Sequence, residues 1–281
     1  MYDPRITSAS LNALGQLVMT LQEYREDIVL VGGWAPYFIL QGQSFKHGGS
    51  RDIDFVLRKD VLRQNQHVNI REKFNSLDYQ TITDAKFYKN LTPTRAMSLD
   101  PIRVDLLCDI KGESCNPGDA CQVAAGIKAH AFDGMSIAFD FNCEQSIEFK
   151  LDDGVSQSAT FEVVDLVGSL VLKSNSFFNR PIGSEDVEEK KDKDAFDMFA
   201  VTHYNGGARH AAEYVNQALN VTTRENREFI IKSLANIRRI FMDAGQEGPI
   251  HANNYEPEYK KETIVGQMKL FFKEIETEIP D

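Results

Sequence analysis

The sequence has little of what frames a disulfide-bonded or zinc-bound domain. Its 281 residues hold four cysteines. Cys108, Cys115, Cys121 and Cys143 form no CxxC pair and have no histidine cluster beside them at zinc-ligand spacing. Free thiols are the reading, with a labile Cys115–Cys121 bridge as the weaker alternative. No apolar run is long enough to span a membrane and no signal-peptide pattern follows Met1, so a soluble, cytoplasmic protein is expected. Positive charge is also short: 31 Lys and Arg stand against 42 Asp and Glu, a net charge of −11. That disfavours a protein that neutralises phosphates along a nucleic-acid duplex. A local basic cleft stays open, with Lys86, Lys89, Arg95 and Arg103 either lining one wall or simply solvated. Internal repeats and low-complexity tracts are absent.

What is present is an ordinary globular composition, 42% hydrophobic and 26% charged, ample for a core of one or two domains. Residues 7–25 carry leucines at helical spacing. A short β run, Ile28 to Val31, ends at Gly32-Gly33, and a helix is expected over 34–42. A Gly/Ser-rich turn, 47–50, leads into a strand at 52–57. Residues 60–77 read as helical, 79–98 as a strand pair, and Ile102 to Leu107 as an apolar strand. Residues 111–126 read as a loop, and 135–141, 146–151 and 159–164 as strands. From Asp165 the texture turns helical, over 165–179, 186–204, 208–219, 223–243 and 259–278, with a loop at 245–257. The expected architecture is α+β: a mixed β-sheet core flanked by helices over residues 1–163, then an α-helical C-terminal half over 164–281.

Three acids stand out. Asp52 and Asp54 are one residue apart in a β run, where alternation would send both carboxylates to one face and Ile53 and Phe55 to the other. Asp105 interrupts the apolar run Ile102 to Leu107. Like charges on one face repel, and a divalent cation is their natural compensation. Asp105 is the candidate general base. Gly32-Gly33, between strand and helix, offers free backbone N–H groups and close approach to phosphate, and Ser50 adds a hydroxyl. Each piece alone has a plainer use: a polar strand edge, a turn, or a salt bridge from Asp105 to Arg103 on the same face.

In this order, VLVGGWA, SRDIDFVL and IRVDLL, the pieces resemble the DNA polymerase β-type nucleotidyltransferase superfamily, nearest its AbiEii-type toxin branch. Gly32, Gly33, Ala35 and Ser50 match that branch's pattern, while Gly48 stands where an Arg is often found. VDLVGSLVLKSNSFFNR and KKDKDAFDMF resemble its later motifs. The resemblance implies a nucleotidyltransferase fold whose helical domain completes the nucleotide cleft. It implies Asp52, Asp54 and Asp105 as catalytic and metal-binding residues for Mg²⁺ or Mn²⁺. It further implies that Lys173 and Lys193 contact the NTP while Asp194 orients the basic groups, so that Lys173→Met would weaken NTP use without loss of thermal stability. Asp197 would share the Asp194 face. Residues 111–155 and the last helices lie outside the resemblance.

The expected activity is transfer of an NMP from an NTP to a hydroxyl acceptor: an RNA end such as tRNA, a protein, or a small molecule. A toxin role with an antitoxin partner accompanies the resemblance. The alternatives are a catalytically inactive nucleotide-binding or regulatory module of the same fold, and a metal-dependent phosphohydrolase. Among the histidines, His47 is expected in a solvated loop, and His67, His130, His203, His210 and His251 show no partner pattern. Phe177 and Phe178 would stack a base or, more commonly, fill core.

Overall fold

The computed structural model describes residues 4–64, 69–90, 101–112, 114–124, 126–151, 154–180 and 186–280. Arg95 and His67 lie outside these. The chain divides into two compact units, Met1–Phe38 with Gly48–Val164, and Ile39–His47 with Asp165–Asp281.

The first unit opens with α1 (Pro4–Thr20), which starts before the expected 7–25 helix and ends short of it, where a 3₁₀ turn, Gln22–Asp27, takes over. Strand β1 (Ile28–Val31) runs through the turn Gly32–Trp34 into α2 (Ala35–Ile39). Then come β2 (Ile53–Leu57), α3 (Lys59–Gln64) and α4 (Ile70–Ser76), the last capped where Asn69 Oδ1 accepts from the Glu72 amide. The expected strand pair is β3 (Gln80–Thr83) and β4 (Lys86–Lys89), and the apolar strand is β5 (Ile102–Asp109). β6 (Ala120–Ala124), β7 (Ile127–Phe132), β8 (Asn142–Lys150) and β9 (Ser156–Val164) follow.

Among the described residues, nine strands make one mixed sheet in the order β3-β4-β5-β2-β1-β9-β8, with β7 also on β5 and β6 on β7. Strand β5 alternates strictly: Ile102, Val104, Leu106 and Cys108 are fully buried, while Arg103, Asp105, Leu107 and Asp109 take the other face. It pairs in parallel with β2, antiparallel with β4 along its first half, and in parallel with β7 along its second. Phe74 stacks on Phe87 beneath it, and α1 packs on β8 and β9.

Several expectations fail up to Val164. Residues 111–126 are not all loop, since Cys121 and Val123 alternate with exposed Gln122 in β6, and Gly126 at φ +69 turns the chain into β7. Residues 135–141 hold a 3₁₀ turn, Met135–Phe139, entered through Gly134 at φ +74, so its apolar run is buried on a tight helical turn. Residues 34–42 stay helical only to Ile39.

The second unit begins where Asp165 caps α5 (Leu166–Asn179), its Oδ1 accepting from the Gly168 amide at 3.0 Å and its Oδ2 from the Tyr214 hydroxyl at 2.9 Å. α6 (Val187–Tyr204), α7 (Ala208–Val221) and α8 (Arg224–Phe241) follow. The expected loop at 245–257 is instead α9 (Glu247–Tyr255). Pro249 is tolerated there because the first helical turn leaves its amides without helical partners anyway. Gly248 lets α9 approach α8: a Cβ would stand 2.8 Å from the Ile240 carbonyl oxygen. α10 (Lys261–Lys273) closes the unit. Among the described residues no helix is long and apolar enough to cross a membrane.

Candidate functional site

In the α/β unit the chain places two of the three acids side by side. Antiparallel β1 and β2 set Val31 opposite Asp54, and parallel β2 and β5 set Asp54 beside Asp105. Register partners in neighbouring strands share a face, so both carboxylates leave the same side of the sheet while Ile53, Phe55, Val104 and Leu106 fill the core on the other. Gly32 follows Val31 at φ +70, and a Cβ on it would lie 1.9 Å from Asp54 Oδ2. Only glycine fits there, on both counts. The Asp54 carboxyl therefore lies directly on the strand-to-helix turn.

Asp52 departs from the expected trio. The strand begins at Ile53, leaving Asp52 in a bend where two-residue alternation does not apply. Its Oδ1 lies 3.4 Å from Arg51 Nε. Among the described residues, no three His, Cys, Asp or Glu side chains gather closely enough to hold a metal ion. Asp105 is paired not with Arg103 but with Lys86, the residue opposite it on β4, at 3.4 Å. Lys86 and Arg103 share the Asp105 face. Lys89 lies in register with buried Ile102, and its Nζ reaches Gln16 Oε1 at 3.4 Å, so the basic residues do not line one wall.

The loop before Asp52 is anchored from α1. Ser10 Oγ donates to the Arg51 carbonyl at 2.8 Å and accepts from Trp34 Nε1 at 3.3 Å, while Gly49, at φ +76, packs on Trp34. Ser50 and Gly33 are both buried in this packing and Gly32 is half-buried.

The other candidate residues form a buried ion cluster inside the helical unit. Lys173 interrupts the apolar run of α5, which leads one to expect it in a polar cleft rather than a core, and it is buried. Its Nζ donates to Asp194 Oδ1 at 3.0 Å and lies 2.6 Å from Asp197 Oδ2, both on α6. Asp194 Oδ2 accepts from Arg180, through Nε at 3.1 Å and through a second guanidinium N–H. Lys193 approaches Asp197 Oδ2 at 3.8 Å. That oxygen thus has two ammonium neighbours but no directional hydrogen bond. Asp197 Oδ1 accepts instead from His47 Nε2–H at 2.9 Å. His47 is buried, not solvated, and its neighbour Phe45 stacks on Tyr204 with centroids 4.6 Å apart. Nothing in the sequence around His47 signals this bond, because its partner lies 150 residues away.

Burial pushes the His47 pKa down, against the pull of Asp197, so the neutral ring is favoured. For Asp197, burial opposes ionisation, but Lys173, Lys193 and the His47 bond together hold its pKa below the ordinary carboxylate value. Burial likewise works against the Lys173 charge, and Asp197 and Asp194 outweigh it and raise the pKa. The cluster is a set of charges that retain each other. A second histidine has a partner too: His251 Nδ1 lies 2.6 Å from Asp192 Oδ1. Phe177, against His251, is core.

Compared with known proteins, the chain matches no family model, no curated protein and no solved structure.

Proposed function

We propose that this chain is a cytoplasmic, metal-dependent nucleotidyltransferase that moves an NMP from an NTP to a hydroxyl acceptor, in the manner of the polymerase β-type superfamily and its AbiEii-type toxins. The observation that carries the reading is the pairing of Asp54 with Asp105 on adjacent parallel strands, with Asp54 pressed onto a glycine turn that admits no Cβ. Hard carboxylate oxygens suit Mg²⁺ or Mn²⁺, which need only one or two protein carboxylates when substrate phosphates supply the rest. Asp54 and Asp105 would hold that cation, and the bound ion would neutralise phosphate charge.

The chain's own groups supply the remainder. Asp105, kept near the open face by β5, is positioned to take the acceptor hydroxyl proton. Lys86 beside it adds positive charge where phosphate oxygens would gather. The acceptor is a hydroxyl of RNA, protein or small molecule, and an antitoxin would be the partner if the toxin likeness extends to function. The resemblance also assigns Lys173, Lys193 and Asp194 to the nucleotide. These side chains are bound to one another within the helical unit, so a substitution there tests folding before it tests ligand.

The experiment is incubation with α-labelled NTPs, Mg²⁺ and a cell lysate, alongside an Asp54→Asn control. Label transferred to an acceptor with pyrophosphate release, lost in the variant, is the expected result. Orthophosphate release without transfer would make the protein a phosphohydrolase. NTP binding with no turnover would make it a silent binding module, a reading favoured by the displacement of Asp52 from the carboxylate pair.

A further inference from the structure

Cys115 and Cys121 lie in the α/β unit, away from the carboxylate pair in sequence and role. Cys115 is half-buried in the loop after β5 and Cys121 is buried in β6. The loop is folded back by its own bonds. Asp119 Oδ2 accepts from the Asn116 amide at 2.9 Å, and the Asp119 amide donates to the Asn116 carbonyl at 3.0 Å. The Gly118 amide donates to the Ala131 carbonyl, and His130 Nδ1–H donates to the Gly118 carbonyl, each at 2.8 Å. This pins the turn to β7 and lays Cys115 over Cys121, with their sulfurs 2.7 Å apart. Two thiols held so close need almost no backbone movement to bond, since a disulfide joins its sulfurs at about 2.05 Å. The other two cysteines face elsewhere: Cys108 toward the Ala129 carbonyl and Cys143 toward Gln145.

We propose that Cys115 and Cys121 are a reversible redox modification site that closes to an intramolecular disulfide when the protein meets a two-electron oxidant such as hydrogen peroxide. Cys115, the more exposed thiol, gives up its proton and attacks one peroxide oxygen. The O–O bond breaks, the second oxygen leaves with that proton as water, and Cys115 becomes a sulfenic acid. The Cys121 thiol then attacks the Cys115 sulfur. The S–S bond forms as the S–O bond breaks, and the hydroxyl leaves with the Cys121 proton as a second water. Two thiols lose two electrons, and one peroxide is reduced to two waters. The bridge ties the loop to β6, whose partner β7 lies along β5. A dithiol reductant reverses the step.

The test uses the intact protein. It is treated with a small molar excess of hydrogen peroxide, its remaining thiols are alkylated under denaturing conditions, and the tryptic peptides are weighed. Both cysteines fall within residues 112–128, a stretch with no internal Lys or Arg. Closure therefore appears as a single unalkylated peptide about 2 Da lighter than its reduced form. Dithiothreitol should restore two alkylation sites in that peptide, while Cys108 and Cys143 alkylate throughout. A Cys115→Ser variant should lose the 2 Da signature. A peptide that still takes two alkyl groups after oxidation, or that gains about 32 Da as a sulfinic acid instead of losing 2 Da, would overturn the proposal. So would persistence of the signature in Cys115→Ser.

Discussion

Asp105 and Asp197 each interrupt an apolar run, one in β5 of the α/β unit and one in α6 of the helical unit, and they meet opposite fates. Asp105 keeps 27% of its side chain exposed, with Lys86 at 3.4 Å. Asp197 is completely buried and gathers His47, Lys173 and Lys193 around it. A strand lets its two faces differ, so a carboxylate can stay at the open face while its neighbours fill the core. The middle of α6 is buried from Lys193 to Thr202. A charge there must bring its counter-charges with it, because an unpaired buried ion is far too costly. The same signal in sequence therefore marks an accessible acid in one unit and a structural knot in the other.

The contrast is broken most directly at Lys173. Lys173→Met leaves Asp194 and Asp197 buried with one fewer counter-charge, and should cost about 3–5 kcal/mol in a urea titration, as loss of one partner of a buried ion pair does. This replaces the stability-neutral outcome expected from sequence. A change below about 1 kcal/mol would put the cluster on the same footing as a surface pair. The mirror experiment is Asp105→Asn or Asp54→Asn. Unfolding free energy should stay within about 0.5 kcal/mol of wild type, as for substitutions away from core features. NTP turnover should fall at least about 100-fold, or about 2.7 kcal/mol in the barrier. A variant that unfolds easily but still turns over NTP would invert the comparison.

Gly32→Ala should have a smaller effect on folding and a diagnostic one on the site. Its φ of +70 and the 1.9 Å approach to Asp54 Oδ2 make the change cost more than about 1 kcal/mol, since alanine does not tolerate that backbone. Unaltered stability would remove the claim that the turn and the carboxyl are packed as one.

The smallest effect is in pH. Folding depresses the His47 pKa, so below about 6.5 the unfolded chain takes up a proton that the folded chain resists. The His47 contribution is present above that pH and is lost as pH falls toward the folded value, with a slope of at most about 1.4 kcal/mol per pH unit. Denaturation midpoints at pH 7.5 and 5.5 should diverge more in wild type than in His47→Gln. Equal divergence would mean that the ring is not buried in its neutral form.

Much of this was written in local pattern. The run from β1 through Gly32 to α2, the strands carrying Asp54 and Asp105, and the helices from Asp165 onward are visible because apolar periodicity and capping residues act over a few positions. The misses have equally local causes. Asp52 lies one residue outside its strand, and alternation holds only once a strand has begun. The apolar run at 135–139 has the composition of a strand but follows a left-handed glycine into a tight turn. Residues 247–255 hold Gly and Pro, yet both fall in a first turn that tolerates them.

What the sequence determined by itself is therefore most of the element order, the mixed sheet followed by helices, and the positions of Asp54, Asp105 and Asp197 along their strands and helix, since these depend on neighbours a few residues apart. What only the tertiary structure decided is which charges meet. Lys86 rather than Arg103 stands by Asp105 because β4 runs antiparallel in that one register. His47 and Lys173 converge on Asp197 because packing brings together three segments that are distant in the chain. Cys115 lies over Cys121 because a turn is pinned to β7. Charge and thiol chemistry act through space over a few ångströms, and that proximity is a property of the folded chain that residue spacing does not encode.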